Sequence, residues 1–184
     1  ADVSGKLWQM SSDLPQDPDI AQQVKQMQAE LEADPEYAAL FEPIGEATIE
    51  LSTVGQFEGE GLLGNFAMDI FRERGQAHMA LSTASAFRQP IPPGTITEEI
   101  LRSAMPYPNQ IFVFDMSGAQ VEELLNYGIS RKGSDFFPQV SGVRFNIVED
   151  QATNIQILAD PANPAEGYGS LEPLKEIPKP LLCS

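Results

Sequence analysis

The chain has 184 residues, 42% of them apolar, with 27 acidic against 11 basic side chains and a net charge of −16. That length suits one domain, or one domain with an attached segment, and the ordinary apolar share argues for a packed core and against wholesale disorder. A surface so acidic repels phosphate backbones and anionic lipid headgroups, so neither nucleic acid nor a membrane is an expected partner.

In chain order, Lys6–Met10 reads as a short strand, followed by a Pro- and Asp-rich linker to Pro18. Asp17-Pro18-Asp19 carries helix-start chemistry: an acceptor cap, a first-turn proline and an acid near the positive end of the dipole. Ile20, Val24, Met27 and Leu31 then repeat at helical spacing. Asp34-Pro35 opens a second helical stretch with Tyr37, Leu40 and Phe41 on one side. Gly45–Thr53 alternates as a strand with Ala47, Ile49 and Leu51 facing one way. Gly59–Arg74 is the most amphipathic segment, with Leu62, Leu63, Phe66, Ala67, Ile70 and Phe71 as its apolar stripe and Gly75 as its C-terminal cap. Residues 77–82 predict a strand, and Pro90, Pro92, Pro93 and Gly94 a loop.

Thr97-Glu98-Glu99 opens a short helix through Ala104, which Pro106 and Pro108 stop. Ile111–Met116 is apolar on both faces, which predicts a central strand. Ser117-Gly118-Ala119 caps a helix carrying Val121, Leu124 and Leu125. Val140–Val148 and Asn154–Leu158 read as an antiparallel pair, and from Pro161 onward little regular structure is expected. Helices and strands intermingle without an even βαβ rhythm, so the predicted class is α+β with a mixed sheet.

Self-contained catalytic patterns are missing: there is no glycine-rich phosphate loop, no His-Glu-x-x-His and no nucleophile elbow. His78 is the only histidine and Cys183 the only cysteine. A two-metal hydrolytic centre needs several imidazoles and carboxylates together, so no catalytic residue and no metal ligand is expected in this chain. A lone cysteine forms no intramolecular disulfide, which suits a reducing compartment and equally an exported protein that uses no disulfides. Glu98/Glu99 and Glu122/Glu123 are helix neighbours that do not face each other, and they read as solvated faces. The remaining chemistry lies on loops: Arg88 after the small-residue turn 82–86, Tyr107-Pro108-Asn109 before one strand, and Phe136-Phe137-Pro138 before another. A ring, an amide and a guanidinium are the parts that hold a planar base and an oxygen-rich group. Equally, such rings plug cores and such arginines sit in surface ion pairs.

The order of these segments resembles the carboxy-terminal domain of the 5'-nucleotidase, UDP-sugar hydrolase and cyclic-nucleotide phosphodiesterase family. Glu60-Gly61-Leu62-Leu63-Gly64-Asn65-Phe66 is similar to its Glu-x-x-Leu-Gly-Asn helix entry. Arg88 with Gly94, Pro106-Tyr107-Pro108-Asn109, and Asp115-Met116-Ser117-Gly118 follow in the family's order, and Phe137–Phe145 is the closest single match. The resemblance implies three parts: residues 1–44 as an exit strand and linker helix from a metallophosphatase domain, 45–160 as the substrate-binding domain, and 161–184 as an irregular tail. It implies Tyr107 as one ring of a base clamp, Asn109 beside it and Arg88 as the contact to an anionic substrate, with Thr83 and Phe137 completing the expected substrate-binding set. It further implies a nucleotide-like substrate, a divalent metal pair on the protein's own N-terminal metallophosphatase domain, and a periplasmic or secreted location. The sequence departs from the pattern at Phe57, where the family carries arginine, and at Thr83-Ala84-Ser85-Ala86, where it carries Asn and glycines. The second ring and the Gly-Gly-Asp-Gly-Tyr loop have no clear counterpart beyond Glu166-Gly167-Tyr168. A degenerate, non-catalytic binding module is the alternative these departures raise.

Overall fold

The computed structural model describes residues 5–8, 11, 13–171 and, as backbone, 181–183, and it divides into two compact units, Ala1–Glu42 and Pro43–Ser184. In the first unit, helix α1 (Pro18–Ala33) starts where its capping residue predicts. The Asp17 carboxylate accepts from the Asp19 and Ile20 amides at 3.0 and 3.2 Å. Its apolar row Ile20, Val24, Met27 and Leu31 has helical spacing but stays exposed. A single 3-10 turn, Ala38–Phe41, stands where a second helix is expected. Lys6–Trp8 is irregular, whereas Gln9 and Met10 lie outside the described residues.

The second unit runs β1 (Pro43–Ala47), α2 (Leu62–Gly75), β2 (Ala80–Thr83), β3 (Gly94–Thr97), α3 (Glu98–Ala104), β4 (Phe112–Phe114), α4 (Gly118–Ile129), β5 (Pro138–Ser141), β6 (Val143–Val148), β7 (Gln151–Leu158), β8 (Tyr168–Ser170) and β9 (Leu181–Cys183). Its central sheet has the order β4-β9-β2-β5, with β9 parallel to β2 and the other pairs antiparallel, so the sheet is mixed as the α+β reading requires. β1 pairs with β3, and β6-β7-β8 form a third, antiparallel sheet. The period-2 alternation along β2 separates two cores. Ala80 packs with Leu63, Ala67 and Met68 of α2, while Met79, just before β2, packs with Val121, Leu125 and Ile129 of α4.

Several expectations are corrected. The buried face of α2 is Leu63, Gly64, Ala67, Met68 and Arg72, whereas Leu62, Phe66 and Ile70 remain 39–50% exposed. The broad stripe is wider than the core it meets. Gln76 (φ 50), not Gly75, takes the left-handed position that ends this helix, its amide donating to the Arg72 and Glu73 carbonyls. β1 ends at Ala47 because Ile49 turns to solvent, and Leu51 makes an isolated bridge to Ile91. β4 lies at a sheet edge with Phe112, Val113 and Phe114 all exposed, because β9 occupies the interior place beside it. The tail expected to be irregular supplies β8 and β9. The expected strand 140–148 is broken at Gly142 (φ 74), whose Cβ position would lie 2.6 Å from Arg72 Cδ and 3.0 Å from the His78 carbonyl carbon. Only glycine fits there. The antiparallel pair stands as β6-β7, joined by Glu149 and Asp150 at φ 50 and 58, a two-residue turn of the primed type.

One buried side chain ties α2 to the sheet. Gln139 of β5, 1% exposed, accepts from the Gly61 amide at 2.8 Å and donates to the Gln56 and Gly59 carbonyls, each at 2.8 Å. Its amide lies against Gly64, where any side chain would intrude. Nearby, Arg72 Nε donates to Ser141 Oγ at 2.9 Å, and that hydroxyl bonds Asp69 Oδ1.

Candidate functional site

The candidate site is a cleft of about 450 Å³ between α2, the turn that follows β2, and the α3–β4 connection. That volume lies within the range of small-molecule sites. Its floor and walls are apolar: Phe71, Phe87, Leu101, Met105 and Ile111. Phe87, 2% exposed, anchors the turn in the core, and Arg88 after it is exposed and is not itself one of the residues that line the cleft. The Arg88 amide donates to the Ala104 carbonyl at 2.8 Å, which couples this turn to the end of α3.

Tyr107 sits between Pro106 and Pro108, whose rings restrict the backbone on both sides. The Asn109 amide donates to the Tyr107 carbonyl at 2.8 Å, closing a tight turn over Pro108. Tyr107 is half-exposed and lines the cleft with Asn109. Arg88 Nη2 donates to Tyr107 Oη at 2.8 Å, and the guanidinium carbon lies 5.4 Å from the ring centroid. The phenol is thus held by Arg88 at the cleft, with half of the Tyr107 surface still exposed.

Two further polar residues line the same cleft. Arg102 donates to Glu98 Oε1 from Nε at 2.8 Å and lies 2.6 Å from it through Nη2. Sequence reasoning treats Glu98 as a solvated helix face. The available signal is the arginine four residues on, the spacing at which helix side chains meet.

The other expected site residues lie apart from this cleft's lining. Thr83 ends β2, with its hydroxyl 3.1 Å from that of Ser85. Phe137 is 4% exposed and lines a separate hollow of about 200 Å³ with Glu60, Asn65 and Arg144. Its carbonyl accepts the Ala84 amide at 2.8 Å, and the Asp135 carbonyl accepts that of Ser85 at 3.1 Å. The turn 84–86 is a 3-10 turn without left-handed residues, so its Cβ atoms are accommodated, but those two amides are already engaged. Tyr168 pairs in β8, with the Arg144 guanidinium carbon 3.9 Å from its ring centroid. Among the described residues no group of three or more His, Cys, Asp and Glu side chains is arranged to hold a metal ion, and His78 is buried just before β2. These residues do not fit a metal centre.

Residues 43–168, more than half of the chain, match the family model described as 5'-nucleotidase, C-terminal domain. The chain belongs to this family. It is 29% identical over 153 residues to the trifunctional nucleotide phosphoesterase protein YfkN of Bacillus subtilis (strain 168), covering 78% of this chain and 10% of that protein. It is 26% identical over 154 residues to the silent protein UshA(0) of Salmonella typhimurium (strain LT2), covering 76% of this chain and 28% of that one. In structure it superposes on the 5'-nucleotidase precursor of Thermus thermophilus with a TM-score of 0.70 at 23% identity, over 89% of this chain and 32% of that chain. The NAD nucleotidase of Haemophilus influenzae gives a TM-score of 0.61 at 14% identity, over 91% and 31%. Likenesses at these identities establish the fold. The chain spans between 10% and 32% of the length of these four proteins. No helix among the described residues is long and apolar enough to cross a membrane.

Proposed function

We propose that this C-terminal-type domain is the substrate-recognition part of a phosphoesterase acting on nucleotides or related phosphate esters. Bond cleavage belongs to a divalent metal pair on the protein's own N-terminal metallophosphatase domain, and the location is periplasmic or secreted. The observation that carries this reading is the half-exposed Tyr107 ring in an apolar cleft, its hydroxyl held by Arg88. A base stacks on the ring, Asn109 offers donor and acceptor beside it, and the exposed Arg88 keeps further guanidinium donors for a substrate oxygen.

Titration calorimetry of the chain with adenosine and AMP tests the reading. Stacking on an aromatic side chain contributes about 1–3 kcal/mol per base, so Tyr107→Ala is expected to weaken binding about 5- to 150-fold. Absence of binding at millimolar ligand, or binding indifferent to Tyr107→Ala, overturns it. The purified chain is expected to hydrolyse no nucleotide with magnesium, manganese or zinc, and sustained turnover by homogeneous protein would count against the division of labour.

A second reading, a binding module that has lost turnover, is favoured by Phe57 in place of the family's arginine and by the engaged amides of Ala84 and Ser85. Nucleoside binding by a longer form that carries the metal domain, together with inactivity on every nucleotide tried, would select it.

A further inference from the structure

The polar groups of the Tyr107 cleft are unequally committed. Both close approaches from Arg102 end on the same oxygen, Glu98 Oε1. Among the described residues no donor is bonded to Glu98 Oε2. The i, i+4 spacing on α3 therefore pins the carboxylate while leaving one of its oxygens open. Arg102's charge is balanced by that same carboxylate, so the pair is neutral and its open carboxylate oxygen offers the cleft an acceptor beside the remaining guanidinium N–H groups. A phosphate is repelled from such an acceptor, and the group that meets it is an uncharged donor.

We infer that Glu98 is a specificity-determining residue of this cleft: Oε2 accepts a hydrogen bond from an N–H or O–H donor of a nucleoside whose base stacks on Tyr107. The inference rests on the cleft being the nucleoside subsite proposed above. The donor is either the exocyclic amine of the base or a ribose hydroxyl. Arg102 is a positioning residue that holds the carboxylate in one rotamer.

The test is calorimetry of the 184-residue chain with adenosine, inosine (which lacks the exocyclic amine) and 2'-deoxyadenosine (which lacks one ribose hydroxyl). A hydrogen bond to a charged acceptor, discounted for the 40% exposure of Glu98, gives a preference for adenosine over one analogue of about 5- to 10-fold. Glu98→Ala is expected to erase that preference and bring adenosine down to the level of the disfavoured analogue, with the melting temperature kept. Which analogue is disfavoured in the wild-type chain identifies the donor. Arg102→Ala is expected to narrow the preference by about half, because the carboxylate remains but is no longer pinned. Unchanged affinities for all three ligands in Glu98→Ala overturn the inference. If Tyr107→Ala nevertheless abolishes adenosine binding, the nucleoside reading survives alone. A wild-type chain that binds none of the three sinks both.

Discussion

Gly64→Ala isolates the packing that joins α2 to the central sheet. Intrinsic helix propensity favours the change by up to about 1 kcal/mol, since Gly64 lies in the first turn of an otherwise regular helix. The structure opposes it, because the new methyl carbon would stand 2.8 Å from Cγ and 2.9 Å from Cδ of Gln139. Gln139 cannot swing aside cheaply, being 1% exposed and bonded to Gly61, Gln56 and Gly59. Overpacking costs about 1–3 kcal/mol, and a buried polar group left without its partner about 1–3 kcal/mol more. The net expectation is a loss of about 3 kcal/mol, or about 6–12 °C in Tm for a chain of this size. A double-mutant cycle by urea denaturation measures it. In a Gln139→Ala background the clash is gone, so Gly64→Ala should change sign and become neutral or stabilising. If Gly64→Ala is harmless in the native background, or costs the same in both, Gln139 is not the constraint and the reasoning fails.

Gly142→Ala should be more severe, because a side chain at φ 74 meets the His78 carbonyl and Arg72 Cδ together. A loss above about 4 kcal/mol or failure to accumulate folded protein is expected, and near-native denaturation would refute the close approach. The hairpin turn offers the opposite sign. Replacing Glu149-Asp150 with Asn-Gly suits two residues at positive φ and should stabilise by about 1 kcal/mol, seen as a rise of about 2–4 °C in Tm; a fall would mean the turn is not of the primed type.

Much of the fold was legible because local chemistry agrees with tertiary packing. Asp17 and Thr97 each accept amide hydrogen bonds in the first turn of the helix they precede. Ser117 forms a capping box with Gln120, and Val121 and Leu125 are buried as their spacing requires. What escaped notice depends on distant partners. Gly94–Thr97 is short and runs directly into α3 from the Thr97 cap, so its pairing with β1 leaves no local mark. Leu181–Cys183 sits between β2 and β4 through pairings far apart in sequence, and that insertion moves Phe112–Phe114 to the edge. At the candidate site, the loop and the resemblance singled out Tyr107 and Asn109, and both line the same cleft. The hydrogen bond from Arg88 to the phenol was not legible in the sequence, because it requires the relative placement of two elements; the pinned carboxylate of Glu98 lies within α3 and was signalled only by Arg102 four residues on.

The motif residues that reveal the family do two different jobs. Gly64 and Gln139 are explained by their contact with each other, and Gly142 by His78 and Arg72. Asp69, Ser141 and Arg72 form a chain of hydrogen bonds between α2 and β5. None of these lines the Tyr107 cleft. They form the frame, and a frame can be preserved while the ligand changes. The cleft hangs instead on the α3–β4 connection, fixed by two prolines, by the bond from Arg88 to Ala104 and by the phenol–guanidinium contact. Phe57 shows the separation in this chain, since the arginine expected from the family is absent and the surrounding backbone is intact. The Phe57 carbonyl accepts the Gly133 amide at 2.6 Å, and the neighbouring Gln56 side chain is buried. Family membership therefore fixes the frame here, and on the proposed reading substitutions of Tyr107, Arg88, Asn109 and Glu98 should alter ligand binding while leaving the unfolding free energy within about 0.5 kcal/mol of the native value, the scale of surface changes.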